Sequence, residues 1–152
     1  MLNTPAFEQI VQGYSTSHEY ALDQHVYDSL VLQFGDSNPL HVDAEYARSC
    51  GFSGKVMHGA ILNGFLSHFI GVHFPGRNAL LHSVDIAYRA PNYLGEVIRI
   101  DATVVQKVQA LQILVLRVAF TNTTQNRVVA QAKVQVGVAR TQARATEETK
   151  HD

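Results

Sequence analysis

The hydrophobic period of this chain changes once, near Ala79, and that change constrains the fold more than any other feature. Between Gly59 and about His73, the residues Leu62, Phe65, Leu66, Phe69 and Ile70 recur at helical spacing and make a broad apolar face. Ala60, Gly64, Ser67 and Gly71 form a second stripe of small residues, which would let the helix backbone lie close against something flat. Pro75-Gly76 ends the helix. From Ala79 onward the period is two. Val84, Ile86 and Tyr88 alternate with Ser83, Asp85 and Ala87, and Ile98, Ile100, Ala102 and Val104 alternate with Arg99, Asp101 and Thr103. Leu111 to Phe120 is apolar on both faces. Val128, Ala130, Ala132, Val134, Val136 and Val138 alternate with Gln131, Lys133 and Gln135. Tyr93-Leu94-Gly95-Glu96 reads as a turn between two of these strands. Strands of about ten residues exceed the usual five or six. One apolar helix followed by long antiparallel strands predicts an α+β fold, with a curved sheet wrapped around a central helix.

The first third is mixed. Ala6 to Val11 reads as a short strand or a turn. Asp23 is placed to cap a helix over 24–34, with Val26, Tyr27, Leu30, Val31 and Phe34 on one face. Asp43 is placed to cap a short helix through Arg48 that stops at Gly51. No linker or repeat interrupts the chain, so a single domain over 1–140 is expected. The polar, charged tail over 141–152 is expected to fray.

Composition narrows the function classes. At 46% hydrophobic and 16% charged, the 152 residues suffice for one soluble domain with a real core. A formal net charge of −1 gives no global field toward nucleic acid or an anionic membrane. A lone cysteine, Cys50, allows no internal disulfide, and the N-terminus has neither a basic nor an apolar leader segment. No apolar run approaches the roughly 20 residues of a membrane span. The expected location is the cytoplasm.

The chemistry concentrates between Gly35 and Gly59, in GDSNPLHVDAEYARSCGFSGKVMHG. Asp36 and His41 lie five apart across an Asn-Pro turn, and the apolar helix begins at His58-Gly59. An isolated Asp and His in a loop are usually turn and surface residues. Here Asn38-Pro39 biases the backbone to an extended and then turned path, because the residue before proline avoids the α region. Such a hook can aim both side chains at one point. Water adding to C3 of a 2-enoyl thioester must lose a proton while C2 gains one, and a carboxylate and an imidazole can share those tasks. Gly59 is either a small residue easing a crowded helix start or an exposed N–H donor. As a donor it would face the thioester oxygen, with the helix dipole favouring the developing enolate. Ser67 lies on the Gly59 side of the helix. It reads as a packing residue or as a hydrogen-bond partner of the Asp36 carboxylate.

Other chemistries lack their parts. His68 and His73 are five apart rather than four, and His58, His68, His73 and His82 have no Cys or carboxylate at ligand spacing, so no metal is expected. No phosphate loop, nucleophile elbow or dinucleotide fingerprint is present, and no cofactor is expected.

The run GDSNPLHVD, then Arg48-Ser49-Cys50-Gly51-Phe52, then His58-Gly59 opening an apolar helix, resembles the MaoC-like hydratases. These include the (R)-specific enoyl-CoA hydratases and have the hotdog fold. The resemblance runs from about Val26 to Val138. It implies a single hotdog domain, Asp36 and His41 as the acid–base pair holding water, and the Gly59 N–H as the thioester anchor. It implies that Asn38, His58 and Ser67 bind substrate or support the pair. Ser67 falls where some members carry a serine bonded to the catalytic Asp. Two departures, Asn92 and Glu96 in the later turn, are expected at the rim of the acyl tunnel. The resemblance also implies an edge-to-edge homodimer acting on acyl thioesters of CoA or of acyl carrier protein. The implied reaction is reversible hydration of a trans-2-enoyl-CoA to the (R)-3-hydroxyacyl-CoA. Dehydration of a 3-hydroxyacyl-[acyl carrier protein] is the alternative. A non-catalytic hotdog subunit would be expected to lack an intact Asp/His pair, and a thioesterase would not need the hook.

Overall fold

The computed structural model describes residues 5–140, and the tail predicted over 141–152 lies outside the described residues. After a 3-10 turn at Phe7–Gln9 come β1 (Ser15–Ala21), α1 (Gln24–Phe34), α2 (Pro39–Val42), α3 (Ala44–Ser49) and α4 (Ala60–His68). A π-helical turn, Phe69–His73, continues α4. Four strands follow: β2 (Ala79–Tyr88), β3 (Val97–Val108), β4 (Ile113–Asn122) and β5 (Arg127–Val138). With β1 they form one five-stranded antiparallel sheet in the order β1-β3-β4-β5-β2. Register shifts at Leu81/Ser83, Val104/Gln106 and Phe120/Thr121 bend the strands where they occur.

The inward faces of the central strands make the core. Ile98, Ile100, Leu114, Leu116, Phe120, Val134 and Val136 are fully buried against Leu62, Phe65, Leu66, Phe69 and Ile70 of the central helix. Burying each such side chain is worth about 1.5–3 kcal/mol. The small-residue stripe was expected to meet the sheet and does not. Ala60, Gly64, Ser67 and Gly71 are exposed, because the sheet packs on the large apolar face instead. Val128 is exposed and Val129 buried, the reverse of the expected alternation. The register slip beside Phe120 leaves Val129 as an extra residue and changes the parity of β5 there.

Both expected caps are present. The Asp23 carboxylate accepts from the Val26 N–H at 2.8 Å, and that of Asp43 accepts from the Tyr46 N–H at 3.0 Å. Gly35 ends α1 at φ 67°, a left-handed conformation that favours glycine. The α1 face is shorter than predicted. Tyr27 is buried and Val26 and Leu30 pack on the core, but Phe34 is 80% exposed. Two elements had no sequence signal. α2 is too short to show a period, and β1 turns Thr16, His18 and Tyr20 inward where apolar residues would have marked a strand. The turn at Tyr93–Glu96 is as expected, with Gly95 at φ 88°. Among the described residues no helix is long and apolar enough to cross a membrane.

Candidate active site

The Asp36–His41 hook is built by its own backbone. Asn38 caps α2, its side-chain oxygen accepting from the Leu40 N–H at 3.0 Å, and Pro39 supplies the first helical residue. The His41 N–H returns to the Asn38 carbonyl at 2.8 Å. Asn38 therefore shapes the turn that carries both candidate residues. A second segment runs beside the hook. Val56 N–H donates to Leu40 carbonyl at 2.9 Å, and Met57 N–H donates to Asn92 carbonyl at 2.8 Å.

This segment fixes the His41 ring. Nδ1 lies 2.7 Å from the Val56 carbonyl oxygen. A carbonyl only accepts, so Nδ1 is assigned the proton and Nε2 keeps its lone pair. Tyr27 holds both sides of the junction, its hydroxyl 2.9 Å from the His41 carbonyl and 3.3 Å from that of Val56. Burial, with Asp28 nearby, pushes the Tyr27 phenol up to about 12, so it remains a donor. Sequence periodicity marked Tyr27 only as core. The usable signal was that a buried tyrosine hydroxyl needs a partner.

His58 is the residue that joins the pair. It is 1% exposed, and its ring stacks on that of His41 with centroids 3.8 Å apart. Its Nε2 lies 2.9 Å from the Asp36 main-chain oxygen and 3.7 Å from carboxylate Oδ2. Nε2–H therefore donates, and Nδ1 is left buried without a partner. Ser67 was expected to hold the Asp36 carboxylate, but it is exposed on the outer stripe of α4 and makes no hydrogen bond to Asp36 among the described residues. The Asp36 carboxylate instead accepts from the Asn38 N–H, at 3.5 Å on Oδ1.

Gly59 precedes the first turn of α4 in ordinary helical conformation, φ −57° and ψ −34°, so its backbone does not demand glycine. Among the described residues, neither its N–H nor that of Ala60 donates to a protein acceptor. These are the orphan donors of a helix start, at the positive end of its dipole. A cavity of ≈ 360 Å³ brings together His41, Met57, Gly59, Leu62, Tyr88 and Pro91 in its lining. Asp36, Asn38, His58 and Ser67 are not in that lining. Asn92, expected at the rim, is buried, with its side-chain oxygen 2.9 Å from Asn122 Nδ2. Glu96 also accepts from Asn122, at 2.6 Å, and from Gln125, at 2.6 Å. Both departures lock the β2–β3 turn onto β4; Asn92 also lines the cavity, as expected of a rim residue, and Glu96 does not.

Two histidine groups bear on metal binding. The spacing of His68 and His73 had argued against a shared face, but the π turn widens the helix and brings their rings to 5.2 Å, beside His18 of β1. Among the described residues, the group with possible ligand atoms within 4.8 Å of one another is Asp36, His41 and His58. Its two imidazoles stack rather than converge, and each already donates one N–H to a carbonyl. One carboxylate, one lone-pair nitrogen in a ring that lines a cavity and two free N–H donors suit proton transfer beside a developing oxyanion.

The family model described as "MaoC like domain" matches residues 31–126, more than half of the chain. The (R)-specific enoyl-CoA hydratase of Rhodospirillum rubrum is 30% identical over 102 residues, 64% of this chain and 68% of that protein. The mitochondrial 3-hydroxyacyl-[acyl-carrier-protein] dehydratase of Arabidopsis thaliana is 40% identical over 61 residues, 40% of this chain and 36% of that protein. The unliganded R-hydratase PhaJ1 from Pseudomonas aeruginosa superposes with a TM-score of 0.81 at 18% identity, covering 89% of this chain and 86% of that one. At that identity the superposition speaks to the fold, which is the expected hotdog architecture.

Proposed function

This chain belongs to the MaoC-like family, and from that premise we propose that it is a hydratase/dehydratase acting on the double bond of a trans-2-enoyl thioester. The finer reading is formation of the (R)-3-hydroxyacyl-CoA. Water is held by Asp36 and His41. As its oxygen bonds to C3, it gives up a proton to the pair. The π electrons move toward the thioester oxygen, which the N–H groups of Gly59 and Ala60 stabilise. C2 then takes a proton from the same pair, which returns to its starting state, and the carbonyl reforms. The observation that carries this reading is the His41 Nδ1 hydrogen bond to the Val56 carbonyl, which leaves Nε2 free in a ring that lines the cavity.

The carrier is open to a second reading for a specific reason. The Arabidopsis relative that is 40% identical over its matched segment is named for acyl carrier protein substrates. We also propose a homodimer, working in the cytoplasm. The activity is tested by following the conjugated absorbance of crotonyl-CoA, and of crotonyl-[acyl carrier protein], as each is hydrated. Steady loss of absorbance with either is the expected result. A folded protein that hydrates neither would overturn the reading.

A further inference from the structure

Tyr88 lies outside the acid–base chemistry above, and its placement calls for a role. It ends β2 and is 51% exposed, yet its side chain is fixed at two points on the start of α4. Ring atoms Cε1, Cδ1 and Cζ stand 3.3, 3.4 and 3.6 Å from where a Cβ on residue 59 would lie. The hydroxyl donates to Oδ1 of Asn63, one turn further along the same helix. A side chain at residue 59 would therefore press on the Tyr88 ring. A half-exposed phenol ordinarily moves freely, and one exposed hydrogen bond adds little to stability. Partial burial pushes the Tyr88 phenol up, so the hydroxyl remains a donor.

The strand end that carries Tyr88 is also anchored. The N–H groups of Arg89 and Ala90 both donate to the Val129 carbonyl of β5. Tyr88 lines the same cavity as His41 and Gly59. Its ring covers the Cα side of Gly59, so a ligand must approach the Gly59 and Ala60 N–H groups from the rest of the cavity, which His41 also lines.

We propose that Tyr88, tethered by Asn63, is a positioning residue that holds the acyl thioester in register between the start of α4 and the Asp36–His41 pair. The inference rests on the hydratase reading above. The ring supplies the wall and the tether keeps the wall in place. A misplacement of about 1 Å in such a site can cost on the order of 10²-fold in rate, so a loosened wall should cost roughly tenfold.

The test compares Tyr88→Phe, Asn63→Ala and the double variant with the wild type. Two quantities are read: kcat/KM for crotonyl-CoA, and the Kd of butyryl-CoA, the saturated analogue that cannot be hydrated. A tethered wall predicts about a tenfold loss in both quantities for each single variant, no further loss in the double, and an unchanged Tm. Unchanged binding and turnover in the single variants would overturn the inference, and so would losses that add in the double. A large loss in Tyr88→Phe with none in Asn63→Ala would overturn it as well, because the hydroxyl would then act on the substrate directly. Wild-type protein that binds butyryl-CoA but hydrates neither crotonyl-CoA nor crotonyl-[acyl carrier protein] would sink the hydratase reading, while the binding arm still decides the Tyr88–Asn63 pair. Wild-type protein that binds no butyryl-CoA overturns the Tyr88–Asn63 inference, and with no hydration of either crotonyl thioester it overturns the hydratase reading too.

Discussion

The side chain of Tyr27 ties together the two backbone segments that orient His41. Its hydroxyl is the donor to the His41 carbonyl and lies within reach of the Val56 carbonyl, the same oxygen that fixes the imidazole. Tyr27→Phe keeps the buried ring and removes only that donor. A partly buried carbonyl left without its donor costs about 1–3 kcal/mol, so the urea midpoint should fall while the fold persists. If the tie orients His41, kcat for crotonyl-CoA should also fall, by about tenfold. A variant that loses stability but keeps its kcat would make Tyr27 a packing residue only. The hook itself was legible in the sequence because Asn38 and Pro39 act locally on the backbone between Asp36 and His41. The stack of His58 on His41 was not, since it joins residues brought together only by the helix start. Ser67 was misread for the same reason. Helical phase relative to Gly59 says nothing about which face of α4 the sheet covers.

At the level of elements, β1 and the π turn meet through side chains that sequence patterns do not score. His18 stacks on His73 at 3.7 Å, and His68 lies against both His73 and Tyr20, with its Nδ1 3.0 Å from the Tyr20 hydroxyl. The long strands could be read because their inward residues are apolar. β1 could not, because its inward residues are Thr16, His18 and Tyr20. Burial lowers the His73 pKa below 6.5, and the neighbouring His18 and His68 lower it further. The sign follows from proton counting. The unfolded chain binds a proton at position 73 more readily than the folded one, so this contribution is present above about pH 6.5 and is lost as pH falls toward the lowered value. Tm should therefore decline between about pH 7 and pH 5, and His73→Gln should show a shallower decline. Equal slopes for both proteins would remove His73 from the acid sensitivity of the fold.

For the whole molecule, the two sheet edges differ in chemistry. The β1 edge is polar. The β2 edge pairs only with β5 among the described residues and exposes Leu80 at 64% and Leu81 at 39%. An open apolar edge is a template for further pairing, and a two-fold dimer is the commonest way to cover it. Sedimentation at micromolar concentration should give the mass of two chains, and Leu80→Lys should shift the population toward one. A stable monomer in the wild type would contradict this assembly. The cavity beside Gly59 lies at the Tyr88 end of the same strand, so loss of the dimer should also lower activity.

The account turns on Asp36 and His41 acting together on water. The most direct measurement is the rate of crotonyl-CoA hydration by wild type, Asp36→Asn and His41→Ala, with circular dichroism on each sample. The wild type should turn over, and each variant, folded as the wild type, should lose on the order of 10²–10⁴-fold. A folded variant at either position that hydrates crotonyl-CoA at near the wild-type rate would contradict the assignment of that residue, and near-wild-type rates at both would contradict the mechanism.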